Sequence, residues 1–236
     1  MKRGSSIFLR IFILIVASFL PIIFLCKGVY GSFIFTFSIP LIWQIGIRGL
    51  QFESLGLRLN SIKLSIIAGA ISGVILGIIG GIGLKILGLT GKLFTSAHKL
   101  EFSFAGITAS FPLQKEAGYQ LLSMNNVLLG TCLFFIFCIV VVALGEEIFW
   151  RGFIQKKIAN YLPSNTSIII TAILFSLIHF YIFTIAPLKA GILFLVLIAF
   201  AGYIWGYLFK YFGNIWASVV SHGITAFIIW KYFFFA

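Results

Sequence analysis

The sequence predicts an all-α fold, a polytopic membrane helical bundle of about seven transmembrane helices. Three observations predict it. Of 236 residues, 61% are hydrophobic and 9% charged, and mean hydropathy is +1.15; a soluble domain carries about a quarter charged residues and at most about half apolar ones. The sparse charges leave seven long uncharged intervals, 11–26, 28–47, 64–84, 117–145, 158–188, 190–209 and 211–230. Each is long enough, alone or with its flanks, to cross about 30 Å of hydrocarbon as helix. Runs such as Ile66-Ile67-Ala68 and Leu133-Phe134-Phe135-Ile136-Phe137 do not alternate polar and apolar residues, which argues against β-barrel strands.

Taken in order, the first interval follows Lys2, Arg3 and Arg10, and no small-residue cleavage site precedes Cys26, which Leu25 and Lys27 flank. It therefore reads as a retained span rather than a signal peptide. The third interval carries Gly69, Gly73, Gly77 and Gly81 at spacings of four, a small-residue face that lets a neighbouring helix pack closely. Segment 91–116, with His98, Glu101 and Glu116 beside Lys92, Lys99 and Lys115, reads as an extramembrane loop with a short interfacial piece at 102–113. One integrated membrane domain thus divides into N-terminal helices plus this loop, 1–116, and a core bundle, 117–236. Pro163 and Asn165 mark a turn between the fourth and fifth spans, and Gly213-Asn214 one before the last.

The net charge of +12 and pI near 9.9 do not make a nucleic-acid binder, because the bases stand singly between apolar runs. The lipid bilayer is the partner they fit. With the N-terminus inside, Lys2, Arg3, Arg48, Arg58, Lys63, Lys156, Lys157 and Lys210 fall on the cytosolic side, against Lys27, Lys92, Lys99, Lys115, Lys189 and Lys231 on the other, a small positive-inside bias. Cys26, Cys132 and Cys138 have no metal-ligand spacing and read as packed thiols.

The chemistry lies in the scarce acids. The chain has no aspartate, and Glu53, His98, Glu101 and Glu116 fall in polar connections, leaving Glu146, Glu147, His179 and His222 within or against apolar spans. A charge at the centre of a membrane helix costs about 2.5–3.5 kcal/mol, so each is a functional candidate. At about 1.5 Å per helical residue, Glu146 lies roughly 15 Å from Lys156, His222 roughly 13 Å from the Gly213-Asn214 turn, and His179 roughly 21 Å from Asn165. Three helices therefore carry ionisable groups at similar depth, as a shared water-containing site requires. Glu146 and Glu147 point about 100° apart and cannot serve one point in the same way. Arg151, four residues after Glu147, is spaced to pair with it, which leaves Glu146 for general-base work on water. Phe175, one turn before His179, lies on the same face and can wall the site. The bland alternatives are a structural charge cluster at a helix end and two packed histidines bonded to backbone carbonyls.

Glu146-Glu147-x-x-x-Arg151, Phe175-x-x-x-His179 and His222 after Ser221, in this order on successive hydrophobic segments, resemble the motifs of the CAAX-protease and bacteriocin-processing (CPBP, or Abi) family of intramembrane proteases, which includes prenyl-protein endopeptidases. The resemblance covers about residues 127–230, and the run Gly202–Ala217, GYIWGYLFKYFGNIWA, is similar to the family's approach to its last motif. It implies a glutamate-dependent intramembrane endopeptidase of a bacterial plasma membrane. By position, Glu146 activates the attacking water, His179 holds or polarises it, Glu147 and Arg151 organise the first motif, and His222 stabilises the oxyanion. The implied substrate is a peptide or protein whose tail is held at the membrane, with or without a lipid, and no cofactor is required.

One position departs from the family: Ala226 stands where an Asn or similar polar residue usually follows the last histidine by four. Thr225 is about 100° around the helix from it, and a lost oxyanion donor costs about 10²–10³ in rate. Two alternatives therefore stay open. Glu146, His179 and His222 are also a plausible ligand set for a zinc ion with one open position, although no H-E-x-x-H is present. The other alternative is a non-catalytic bacteriocin-immunity or scaffold protein of the same family.

Overall fold

The computed structural model describes Ile42 and residues 52–88, 99–104, 107–112, 127–184 and 186–234. The spans expected at 11–26 and, apart from Ile42, at 28–47 lie outside the described residues, as do His98 and Glu116. Helix α1 spans Ile62–Ile86, α2 Leu128–Ala159, α3 Ser164–Leu177, α4 Leu188–Phe212 and α5 Trp216–Ile229. Among the described residues, α1, α2 and α4 are long and apolar enough to cross a membrane, with mean hydropathies of 2.2, 2.8 and 2.3.

Three departures from the sequence reading have physical causes. Segment 91–116 is not simply a polar loop: Lys99–Phe104 (β1) and Ile107–Pro112 (β2) form an antiparallel hairpin in which Leu100 pairs with Phe111 and Phe104 with Ile107. Its period-2 pattern, Lys-Leu-Glu-Phe-Ser-Phe, is a strand signal that the segment's high polarity outweighed in the reading. Second, α2 runs past the uncharged interval 117–145 to Ala159, the extension that the depth count from Lys156 to Glu146 takes for granted, because the charges at 146, 147 and 151 are paired inside the bundle. Third, the interval 158–188 is not one continuous span. It breaks into the 14-residue α3 and a 3₁₀ turn at Phe180–Thr184. His179 sits in the break, where its backbone N–H donates to the Ser176 carbonyl at 2.9 Å. Fourteen residues reach only about 21 Å, short of the roughly 30 Å of a bilayer's hydrocarbon core.

The glycine face of α1 is used as expected. A Cβ on Gly69 would sit 2.6 Å from the Ala217 carbonyl oxygen, and one on Gly73 2.7 Å from that of Ser221, so α1 lies directly against the backbone of α5. Gly213 ends α4 in the left-handed conformation (φ 66°), its N–H bonded to the Phe209 carbonyl. Buried Asn214 then accepts from the Trp216 N–H at 3.0 Å and donates to the Asn60 carbonyl and Ser65 Oγ. At the same end Lys156 Nζ donates to the Ser54 carbonyl, Lys210 Nζ to Asn165 Oδ1, and Trp216 Nε1 to the Arg58 carbonyl. Arg58, Lys63, Lys156, Lys157 and Lys210, assigned to one side from sequence, thus sit at one end of the bundle. Cys138 is buried, whereas Cys132 is exposed and not the packed thiol expected.

Candidate active site

Helix α2 presents the acidic motif on an unusual backbone. The short α-helical stretch Leu144–Glu147 lies between two π-helical stretches, Cys138–Ala143 and Ile148–Gln155. Such wide turns recur at functional sites and alter the angle between successive side chains. Here Glu146, Glu147, Arg151 and Gln155 are all buried, Glu147 and Arg151 completely.

Arg151 Nη1 donates to Glu147 Oε1 at 3.0 Å, the i,i+4 pair read from the sequence, and Nη2 donates to the Gly202 carbonyl of α4 at 2.9 Å. Gln155 repeats the second contact one turn on, donating to the Gly206 carbonyl at 3.0 Å. A Cβ at Gly202 would lie 3.2 Å from the Phe175 ring, and one at Gly206 2.8 Å from Gln155 Oε1, so these glycines admit the two donors.

The imidazole of His222, on α5, meets both glutamates. Nδ1 lies 2.9 Å from Glu147 Oε1, and Nε2 lies 3.8 Å from Glu146 Oε2. A carboxylate accepts, so Nδ1 carries a proton and Glu147 fixes the imidazole's orientation. The glutamates do not serve one point in the same way: they address the same ring through its two different nitrogens. Glu147 Oε1 accepts from Arg151 and His222 together, and this joins α2, α4 and α5 through one oxygen.

His179, expected beside them, stands at the end of α3 with Nδ1 3.1 Å from the Phe175 carbonyl. That carbonyl can only accept, so Nδ1 donates and Nε2 is the acceptor nitrogen of the neutral ring. The Phe175 ring links the groups, with centroids 5.2 Å from His179, 5.9 Å from His222 and 5.0 Å from the Arg151 guanidinium carbon. Among the described residues no three His, Cys, Asp or Glu side chains form a group able to hold a metal ion. Ala226, on the last helix, packs with Phe134 and Cys138 in an apolar cluster. Thr225 Oγ1 is 2.8 Å from the Ser221 carbonyl and 3.2 Å from that of Gly73, so its hydroxyl is held by backbone.

Sequence reading placed Gly202, Trp205 and Ser221 in or beside the family-like motifs but gave them no role at the site. Trp205 stacks on His222 with centroids 4.0 Å apart and planes 14° from parallel. Its Nε1 donates to Ser221 Oγ at 3.0 Å. A tryptophan between two glycines at i−3 and i+1 was the available signal, hidden among 41 aromatic residues (28 Phe, 8 Tyr and 5 Trp).

Fold and site together define a helical membrane protein with a buried Glu-Glu-Arg-His constellation at mid-bundle. Residues 128–228, which contain all of it, match the family model described as type II CAAX prenyl endopeptidase Rce1-like. This match, over 101 of the 236 residues, is a likeness to the CPBP/CAAX proteases in this region. No curated protein and no solved structure matches.

Proposed function

We propose that the chain is a glutamate-dependent intramembrane endopeptidase, which hydrolyses a peptide bond near the prenylated or otherwise membrane-held tail of a protein or peptide. The observation that carries this reading is the buried His222 ring held between the two carboxylates, Glu147 on Nδ1 and Glu146 facing Nε2. Charge counting supports it. Glu147 and Arg151 neutralise each other, and one further proton held between Glu146 and the His222 Nε2 leaves the buried cluster neutral, the state a poorly solvated site favours.

The steps follow from that arrangement. A water donates one hydrogen to Glu146 and the other to His179 Nε2. Its oxygen attacks the scissile carbonyl carbon as its proton passes to Glu146. The His222 Nε2–H, 3.8 Å from Glu146 and so beyond a direct hydrogen bond, donates to the oxyanion. Collapse breaks the C–N bond, and Glu146 returns the proton to the leaving amine. Arg151, clamped to Gly202, and Phe175, against both histidines, hold the constellation together. The full chain would then be a bundle of about seven spans in a bacterial plasma membrane, with the basic end facing the cytosol.

The test is cleavage of a prenylated C-terminal peptide by purified protein in detergent or vesicles, with and without a chelator. Glu146→Gln and His179→Ala should insert normally and lose about 10²-fold or more in turnover, and the native activity should resist chelation. Chelator-sensitive cleavage would favour zinc on Glu146, His179 and His222. A protein that never cuts prenylated or unmodified peptides favours the immunity or scaffold role.

A further inference from the structure

Trp205 has no place in that mechanism, yet it makes the closest ring contact of the site. The Glu147 hydrogen bond holds one nitrogen of His222, but the ring can still rock about its Cβ–Cγ bond, a broad torsion, which would swing Nε2 away from Glu146. The parallel indole, 4.0 Å away and 14° from coplanar, removes that motion because any tilt of the imidazole drives it into the indole face.

The indole is itself fixed on several sides. Its Nε1 donates to Ser221 Oγ at 3.0 Å, on the residue preceding His222, and the Ser72 and Ser221 hydroxyls are 3.0 Å apart. Ser218 Oγ donates to the Trp205 carbonyl at 2.8 Å. Phe175 meets the indole edge-on at 5.7 Å, and the Arg151 guanidinium carbon lies 5.5 Å from its centre. One buried indole therefore contacts two members of the Glu147–Arg151–His222 chain, and α1, α3 and α5 brace it.

We infer that Trp205 is a positioning residue: its stacked indole sets the plane of His222 and so aims Nε2 at the space beside Glu146. The inference deepens the endopeptidase reading and rests on it for its catalytic consequence, but the stack is measurable without turnover. In protein labelled at histidine, the His222 ring proton, assigned by its loss in His222→Gln, should be shifted upfield by the indole. Trp205→Leu should abolish the shift, and Trp205→Phe, which keeps a stacking ring but no N–H, should retain much of it. Alongside, Trp205→Leu should lower kcat by about 10–100-fold with KM nearly unchanged, since misplacement of about 1 Å costs up to about 10²-fold. Trp205→Phe should recover most of the rate, and Ser221→Ala, which releases the indole anchor, should fall between them.

No upfield shift in the native protein, or one that Trp205→Leu leaves intact, overturns the inference. So does a full shift lost in Trp205→Leu without change in kcat, or equal losses in the Leu and Phe variants. If the native protein cuts no peptide while the shift behaves as expected, the endopeptidase reading fails and the positioning of His222 stands on the spectra.

Discussion

Replacing Arg151 by methionine keeps most of the side-chain length and removes the charge. The guanidinium is fully buried, makes hydrogen bonds of 3.0 Å to Glu147 and 2.9 Å to the Gly202 carbonyl, and lies over the Phe175 and Trp205 rings. Its loss leaves the Glu147 carboxylate, also fully buried, with only His222 as partner. Breaking a buried pair from one side costs about 3–5 kcal/mol, because an uncompensated charge remains, whereas removing both partners together is often close to neutral. Arg151→Met should therefore destabilise by about 3–5 kcal/mol, Glu147→Leu by a similar amount, and the double variant by much less than their sum. Arg151→Lys should lie between, since one ammonium cannot reproduce the two-way guanidinium fork. The assay is reversible unfolding in mixed micelles with rising SDS fraction, run as a double-mutant cycle. Losses that simply add, or an Arg151→Met protein within about 1 kcal/mol of native, would refute the reasoning.

Further expectations follow from contacts around the histidine helix. Gly73→Ala puts a methyl 2.7 Å from the Ser221 carbonyl oxygen, which pushes α5 away one residue before His222; turnover should fall about 10–100-fold, with about 1–3 kcal/mol of destabilisation. Gly83→Ala, whose methyl meets only the mobile end of Leu197, is the control and should keep its rate. Ala226→Asn should not raise activity: the site packs against Phe134 and Cys138, so the amide is buried without partners and stability should drop by about 1–3 kcal/mol. A gain of cleavage in that variant, read with the same peptide, would instead favour the reading of a protein that has lost its oxyanion donor.

Much of the site could be read from composition because charge is so costly in this chain. Only five acids occur in 236 residues, so two adjacent glutamates in an apolar run had to be partnered, and the spacing to Arg151 named one partner. The glycine face of α1 was readable for the same kind of reason, since a four-residue repeat of the smallest side chain serves close packing. What sequence could not give was backbone detail. The π-helical turns on either side of Leu144–Glu147 have no residue signature, and they flank the stretch from which the two glutamates reach different nitrogens of one imidazole. The break that places His179 at the end of α3 follows no charge or proline, as Pro187 comes eight residues later. Trp205 looked like one more bulky apolar residue, and only the coordinates show its face on His222.

In the proposed mechanism Glu146 takes the proton of the attacking water, and single-turnover hydrolysis of a prenylated peptide by Glu146→Gln in the presence of chelator tests this role most directly. The amide keeps the size of the carboxyl and cannot accept that proton. Unchanged peptide binding with cleavage slowed about 10²–10⁴-fold is the predicted result, and cleavage at the native rate would contradict it.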